Sequence, residues 1–213
     1  MKVGDRVGAS GVALTDLRIP PAPPGLRVGL FGGSFNPPHE GHLLVAETAL
    51  RALALDRLWW IVTPGNPLKD HGTLAPLASR IVSSRALIED PRIVVTAFEA
   101  GHRVRYTADT VALARSRRPG ARLVWVMGAD SLRSFHRWQD WRSIMRSIPI
   151  AVIDRPGSTL AHLSSKAAIA FARFRVDEDD AARLPFLDPP AWTFLHGPRS
   201  AASSTALREA GGG

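Results

Sequence analysis

The sequence predicts an α/β fold, doubly wound, in which a mostly parallel sheet carries helices on both faces. Three observations predict it. Short apolar runs rich in β-branched residues recur at residues 28–31, 58–63, 93–97, 122–127, 149–153 and 192–195, the composition of strands buried on both sides. Segments long enough for helices separate them, and parallel neighbours need such crossovers. The first run turns into a helical pattern through a polar corner built on paired glycines, and in open α/β sheets such corners are where ligands bind.

At 213 residues and with no internal repeat, the chain reads as a single domain over residues 27–213. Residues 1–26 are rich in Gly and Pro, including Pro20, Pro21, Pro23 and Pro24, and are expected to be a flexible leader. No stretch approaches the roughly 18 to 20 apolar residues of a membrane span. Lys2 and Arg6 precede no apolar core of signal-peptide length, so the cytoplasm is expected. There is no cysteine, which excludes disulfide and thiolate-metal chemistry. The formal charge of +8 resembles a nucleic-acid footprint. It is carried almost wholly by scattered arginines with no interleaved aromatic residues for base stacking, so a polyphosphate substrate accounts for it better than nucleic acid.

Residues 28–50, VGLFGGSFNPPHEGHLLVAETAL, organise the rest. Residues 28–31 are the first strand, Gly32 and Gly33 a hinge, residues 34–39 a tight polar turn, and from about Gly41 the apolar residues recur at helical spacing. Adjacent glycines remove the Cβ atoms that would keep a phosphate from the backbone. The helix that follows aims unpaired N–H groups and the positive end of its dipole at the same place. His39 and His42 are three positions apart, so a helix beginning near them sets both on one face, within reach of one anion. Read as metal ligands they would need a third partner, and no other His or Cys lies suitably near.

The second strand, residues 58–63, ends in the loop PGNPLKDHG, where Lys69 is open between substrate contact and plain solvation. A helix is expected over residues 77–88, and after Pro91 the third strand, residues 93–97. Residues 106–116 are helical again, with Thr107 the expected N-cap and Thr110, Val111 and Ala114 on one face. Residues 122–127 make the fourth strand, ended by Gly128; residues 149–153 and 192–195 make the fifth and sixth. Right-handed crossovers then bring the turns at residues 32–42, 64–69, 128–130, 155–156 and 202–208 to one edge of the sheet.

The last of these turns holds SSTALR, residues 203–208. Ser203, Ser204 and Thr205 offer cap oxygens, hydroxyls and backbone N–H groups for phosphate, and Arg208, one turn beyond Ser204, adds a planar multi-donor cation. Alone the segment reads as an ordinary N-cap with a solvated arginine. Beside the histidine corner it reads as the other half of a polyphosphate site. Trp138 on its own reads as core, and His71, His102, His136 and His162 carry no pattern.

Taken together, these residues resemble the nucleotidylyltransferases that carry an HxGH motif, and in particular the bacterial nicotinate-nucleotide adenylyltransferases. GGSFNPPHEGH at residues 32–42 resembles that family's GG(S/T)F(N/D)PxHxGH turn, and residues 202–208 resemble its ISSTxIR signature, with Ala202 and Leu207 at the isoleucine positions. YTADT at residues 106–110 resembles SYTxxTL, GADSLRSFHRW at residues 128–138 resembles G(Q/A)DSLxxFxxW, and DRPG at residues 154–157 resembles RRPG. The paired GxDS and FxxW elements belong to the nicotinate-mononucleotide branch.

The resemblance implies a Rossmann-like fold and transfer of the adenylyl group of ATP to nicotinate mononucleotide, on the path to NAD. It implies ATP contacts from the turn of Gly32, Gly33, Ser34 and Phe35, from His39 and His42 at the α- and β-phosphates, from Asp130 and Arg155, and from Ser204, Thr205 and Arg208 at the leaving pyrophosphate. His39, His42 and Arg208 are the implied catalytic residues. Lys69, Tyr106, Thr107 and Trp138 are implied to hold nicotinate mononucleotide, with Trp138 stacked on the pyridine ring and Asp130 at a ribose. Mg²⁺ bound through substrate phosphates is the implied cofactor, and self-association is left open. Family members commonly continue for a helix or more beyond ISSTxIR, so the helix carrying Arg208 is expected to be short.

The rival acceptors are nicotinamide mononucleotide and phosphopantetheine, the second belonging to sister enzymes expected to lack the GxDS and FxxW pair. A rival of another class is an RNA-binding module, because class I aminoacyl-tRNA synthetases share a related histidine turn. The chain has no KMSKS-type lysine loop and no room for anticodon-binding domains.

Overall fold

A computed structural model gives the structure of the chain over residues 11–65, 74–154 and 164–196. The strands β1 (Arg27–Gly33), β2 (Arg57–Val62), β3 (Ile93–Thr96), β4 (Arg122–Gly128), β5 (Ile150–Ile153), β6 (Arg175–Val176) and β7 (Trp192–Leu195) form one seven-stranded sheet in the order β3-β2-β1-β4-β5-β7-β6. Each neighbouring pair is parallel, so the mostly parallel sheet expected from sequence is wholly parallel among the described residues. The six predicted strands are β1 to β5 and β7. Sequence missed β6 because two residues are too few to show any period.

The pleat sends alternate side chains of each strand to two separate cores. Val28, Leu30, Trp59, Trp125 and Val152 enter one of them, where they meet α4 (Thr107–Arg117), α5 (Ala129–Ser134), α6 (Trp141–Ser147) and α7 (Lys166–Ala170). Phe31, Trp60, Val62, Val126 and Ile153 enter the other, against α1 (Glu40–Ala52), α2 (Leu77–Leu87) and the 3₁₀ segment Glu178–Phe186. Both faces are therefore covered, as the near-continuous apolar character of the strands requires. In α1 the buried face is Val45, Ala46, Ala49 and Leu50, the i, i+1, i+4, i+5 stripe expected of a helix lying on a sheet.

Two expectations need correction. The N-cap of α4 is Tyr106, in extended conformation, and its carbonyl accepts from the N–H groups of Asp109 and Thr110, so Thr107 is already the first helical residue. The leader is also not loose over its described part. Val12, Asp16, Ile19 and Ala22 are buried, the Asp16 carbonyl accepts from Ala97 N–H at 2.7 Å, and the Arg118 guanidinium donates to the carbonyls of Ile19 and Pro20, each at 2.7 Å. Asp16 also pairs with Arg85. A Cβ at Gly101, in the short helix α3 (Phe98–His102), would stand 2.2 Å from the Leu17 carbonyl oxygen, so the segment lies directly on that glycine. Its prolines suit an extended strap as well as a free chain, and composition alone does not separate the two.

Candidate active site

At β1 and β4 the chain leaves the sheet in opposite directions, α1 toward one core and α5 toward the other. Such a switch point opens a crevice at the carboxyl ends of the strands. Phe31 lies opposite Val126, which sets Gly33 and Gly128 level with one another on its two sides.

The glycines of the corner make room first for the protein itself. A Cβ at Gly32 would meet Trp125 Cη2 at 2.9 Å, and one at Gly33 would meet the Phe35 ring at 3.0 Å. Phe35 sits in the left-handed region, φ 46°, and its ring is turned down into the core, stacked on Trp60 at 4.2 Å and edge-on to Phe31 at 5.4 Å. Of the turn implied to touch ATP, Phe35 can thus offer its main chain only.

His39 caps α1. Its extended backbone, φ −154° and ψ 168°, precedes the helix, and its Nδ1 accepts from Gly41 N–H at 3.1 Å. A neutral imidazole that accepts at Nδ1 carries its proton on Nε2 and is a donor there. The ring is 4% exposed and lies 3.8 Å from the His42 ring, centroid to centroid. His42 in turn rests edge-on against Phe35 at 5.0 Å. Two imidazoles therefore converge where the helix dipole is positive, as their spacing predicts.

Across the crevice Gly128 caps α5, whose first turn carries the exposed Asp130. Tyr106, 37% exposed, and Thr107 open α4, and Trp138 closes the turn Phe135–Arg137 with its ring edge-on to Phe135 at 5.1 Å. Ala108 and Trp138 pack on the same core, opposite α1. Lys69, Arg155, Ser204, Thr205 and Arg208 lie outside the described residues, so the meeting of the histidine corner with SSTALR is not described.

Besides Asp16, two buried ionisable residues escaped the sequence reading. Arg80, on α2, is 2% exposed; it donates to the carbonyls of Ser34 at 2.7 Å, Thr63 at 2.8 Å, Ala75 at 2.9 Å and Pro64 at 3.5 Å, and burial pushes its guanidinium below the ordinary value. Sequence pattern pointed the other way: Arg80, Ile81 and Ser84 form the buried face of α2 while Val82 is 64% exposed, the reverse of what hydropathy suggests. Glu99, on α3, accepts from the Thr110 hydroxyl at 2.7 Å, and burial pushes its carboxyl up to about 7 against the opposing effect of that bond. Nothing local announces it, because its partner Thr110 lies 11 positions away on another helix.

Among the described residues no helix is long and apolar enough to cross a membrane. The sequence model of the cytidylyltransferase-like family matches residues 30–210. A Mesorhizobium japonicum protein named "Probable nicotinate-nucleotide adenylyltransferase" is 63% identical over 191 residues, covering 90% of this chain and 98% of its own. A Rhizobium meliloti protein of the same name is 64% identical over 188 residues, covering 88% and 100%. The fold is similar to that of Plasmodium falciparum nicotinic acid mononucleotide adenylyltransferase complexed with NaAD, with a TM-score of 0.65 at 14% identity over 86% of this chain and 83% of that one.

Proposed function

Because the chain belongs to the cytidylyltransferase-like family, and within it to the nicotinate-nucleotide adenylyltransferases, we propose that it transfers the adenylyl group of ATP to nicotinate mononucleotide. The products are nicotinate adenine dinucleotide and pyrophosphate, a step of NAD biosynthesis. The observation that carries the reading is the imidazole pair, 3.8 Å apart, at the N-terminus of α1 in the switch-point crevice.

An oxygen of the mononucleotide's 5′-phosphate attacks the α-phosphorus of ATP in line; the bond to the bridging oxygen breaks, and pyrophosphate leaves with growing negative charge. No side chain needs to act as nucleophile. Holding two phosphates in line supplies about 7 to 11 kcal/mol, and each donor fixed on the developing charge about 2.7 to 4 kcal/mol. His42 is assigned to the transferring phosphoryl group and His39, with Nε2 as donor, to the neighbouring phosphate. Backbone of Gly32, Gly33, Ser34 and Phe35 lies along the nucleotide. Ser204, Thr205 and Arg208 are assigned to the pyrophosphate by their resemblance to ISSTxIR, and Arg155 and Asp130 to ATP. Tyr106, Thr107, Trp138 and Lys69 are assigned to the acceptor.

Among the described residues no group of three or more His, Cys, Asp or Glu could hold a metal ion, so a cation there would draw its ligands from substrate phosphates and water. Mg²⁺ so held supplies charge neutralisation along the polyphosphate. Small cytoplasmic nucleotides, not nucleic acid, are the partners this reading requires. The test is pyrophosphate release from ATP with nicotinate mononucleotide, nicotinamide mononucleotide and phosphopantetheine offered side by side. Turnover is expected to be fastest with the nicotinate acceptor, and preference for phosphopantetheine would overturn the reading.

A further inference from the structure

We propose that Arg80 is a positioning residue for the transfer, a buried cation that locks the nucleotide turn after β1 to the loop after β2. The inference rests on the adenylyl-transfer reading but concerns a residue outside its contacts. Arg80 touches no carboxylate among the described residues; its four acceptors are main-chain carbonyls from three segments. Ser34 belongs to the turn that leads to His39, Thr63 and Pro64 follow β2, and Ala75 lies at the far end of the same loop. One planar fork of five donors can serve so many carbonyls at fixed angles, where an ammonium cannot.

A buried cation is costly to keep, and here its contacts among the described residues go to the main chain of the segments that frame the crevice. The bond to Ser34 has a second effect. That carbonyl shares a peptide unit with Phe35 N–H, and a carbonyl held by a cation polarises its peptide and strengthens the N–H as a donor.

A second route runs from the same residue to the histidines. The Arg80 carbonyl accepts from the Ser84 hydroxyl at 2.7 Å, and Ser84 Oγ accepts from Trp60 Nε1–H at 3.2 Å. Trp60 is stacked on Phe35, which bears edge-on on His42. Asn36 Oδ1 closes the outer side by accepting from Ala75 N–H at 3.1 Å. The Arg80 guanidinium therefore fixes the backbone of the turn, while its main-chain carbonyl, through Ser84, steadies the aromatic floor beneath His42.

The test is R80K, assayed for kcat, for KM of each substrate and for binding of a non-hydrolysable ATP analogue, at a temperature where circular dichroism shows it folded. A kcat lower by roughly 10- to 100-fold is expected, as for supporting residues around other reactive sites, with weakened analogue binding. Activity of R80A should rise on adding guanidinium ion, while R85A on the same helix should match the wild type and not respond. Wild-type kinetics in folded R80K would overturn the proposal, whatever its melting temperature. If R80K does not fold, R80Q takes its place, assayed in the same way at a temperature where circular dichroism shows it folded and expected to lower kcat at least as far; unchanged kinetics there would overturn it equally. Wild-type turnover with nicotinate mononucleotide, run alongside, tests the reading of function separately.

Discussion

The two sides of the crevice are held by opposite means. On the α1 side a buried cation has four acceptors, the turn is stacked on Trp60, and the histidines pack on that floor. On the α4 side a buried carboxyl has one side-chain partner among the described residues, the Thr110 hydroxyl, and burial pushes it up to about 7. Both are ionisable groups removed from water with no opposite charge bonded to them among the described residues. The guanidinium keeps its charge under burial because its ordinary value is so high, whereas the carboxyl, pushed up to about 7, is poised to titrate. The side assigned to phosphate chemistry is thus rigid, and the side assigned to the acceptor can be altered by a proton.

The contrast breaks most visibly at His42. H42A is expected to lower kcat on the order of 10²- to 10³-fold, the loss of one fixed donor on developing charge, and to leave KM for nicotinate mononucleotide nearly unchanged. Steady-state kinetics decide it, and unaltered turnover would remove His42 from the mechanism.

The next largest effect lies on the other side and is one of stability. The Glu99 carboxyl is raised from 4.5 to about 7 by folding, so between those pH values the folded state binds more protons than the unfolded state. Stability from this group is present below about 4.5 and is lost as pH rises to about 7, on the order of 3 kcal/mol at 1.36 kcal/mol per unit. E99Q should abolish that slope. Urea unfolding at pH 5 and pH 8 should show the variant gaining about 3 kcal/mol on the wild type between the two, and parallel curves would show that Glu99 does not titrate there. A smaller effect is expected of W138A, whose lost stacking should raise KM for nicotinate mononucleotide about tenfold, within the roughly 1 to 3 kcal/mol of a ring on an aromatic side chain, with kcat little altered.

The same contrast explains what the sequence showed. The α1 corner was legible because its histidines, glycines and helix are contiguous, and His39 and His42 meet as their spacing requires. The six longer strands were legible as apolar runs, and their parallel pairing from the helix-length segments between them. What stayed hidden is long-range. Arg80 reaches Ser34 across 46 positions, and Thr96 Oγ1 donates to the Asp16 carbonyl across 80. A buried arginine on a short helix looks like a surface one until the loops it serves are placed. Phe35 shows that a motif residue at such a turn can place its ring in the core beneath it, which its position in the motif alone does not reveal.

The finest distinction concerns a single proton. Thr110 Oγ1 has one hydrogen and two acceptors within reach, the Glu99 carboxylate at 2.7 Å and the Tyr106 carbonyl at 3.2 Å. With Glu99 ionised the hydroxyl is committed to the carboxylate. With Glu99 protonated the carboxyl becomes the donor, Thr110 accepts, and its own hydrogen is released to Tyr106, the cap of α4. Protonation near pH 7 therefore shifts a bond onto the residue assigned to the acceptor. T110V keeps the shape and removes the relay, at a cost of about 1 kcal/mol of stability. KM for nicotinate mononucleotide in the wild type is expected to change by a few-fold across pH 6 to 8, on the order of one such bond, and that change should vanish in T110V while kcat is retained. A pH profile of KM that is identical in the two proteins would show that Tyr106 is held independently of Glu99.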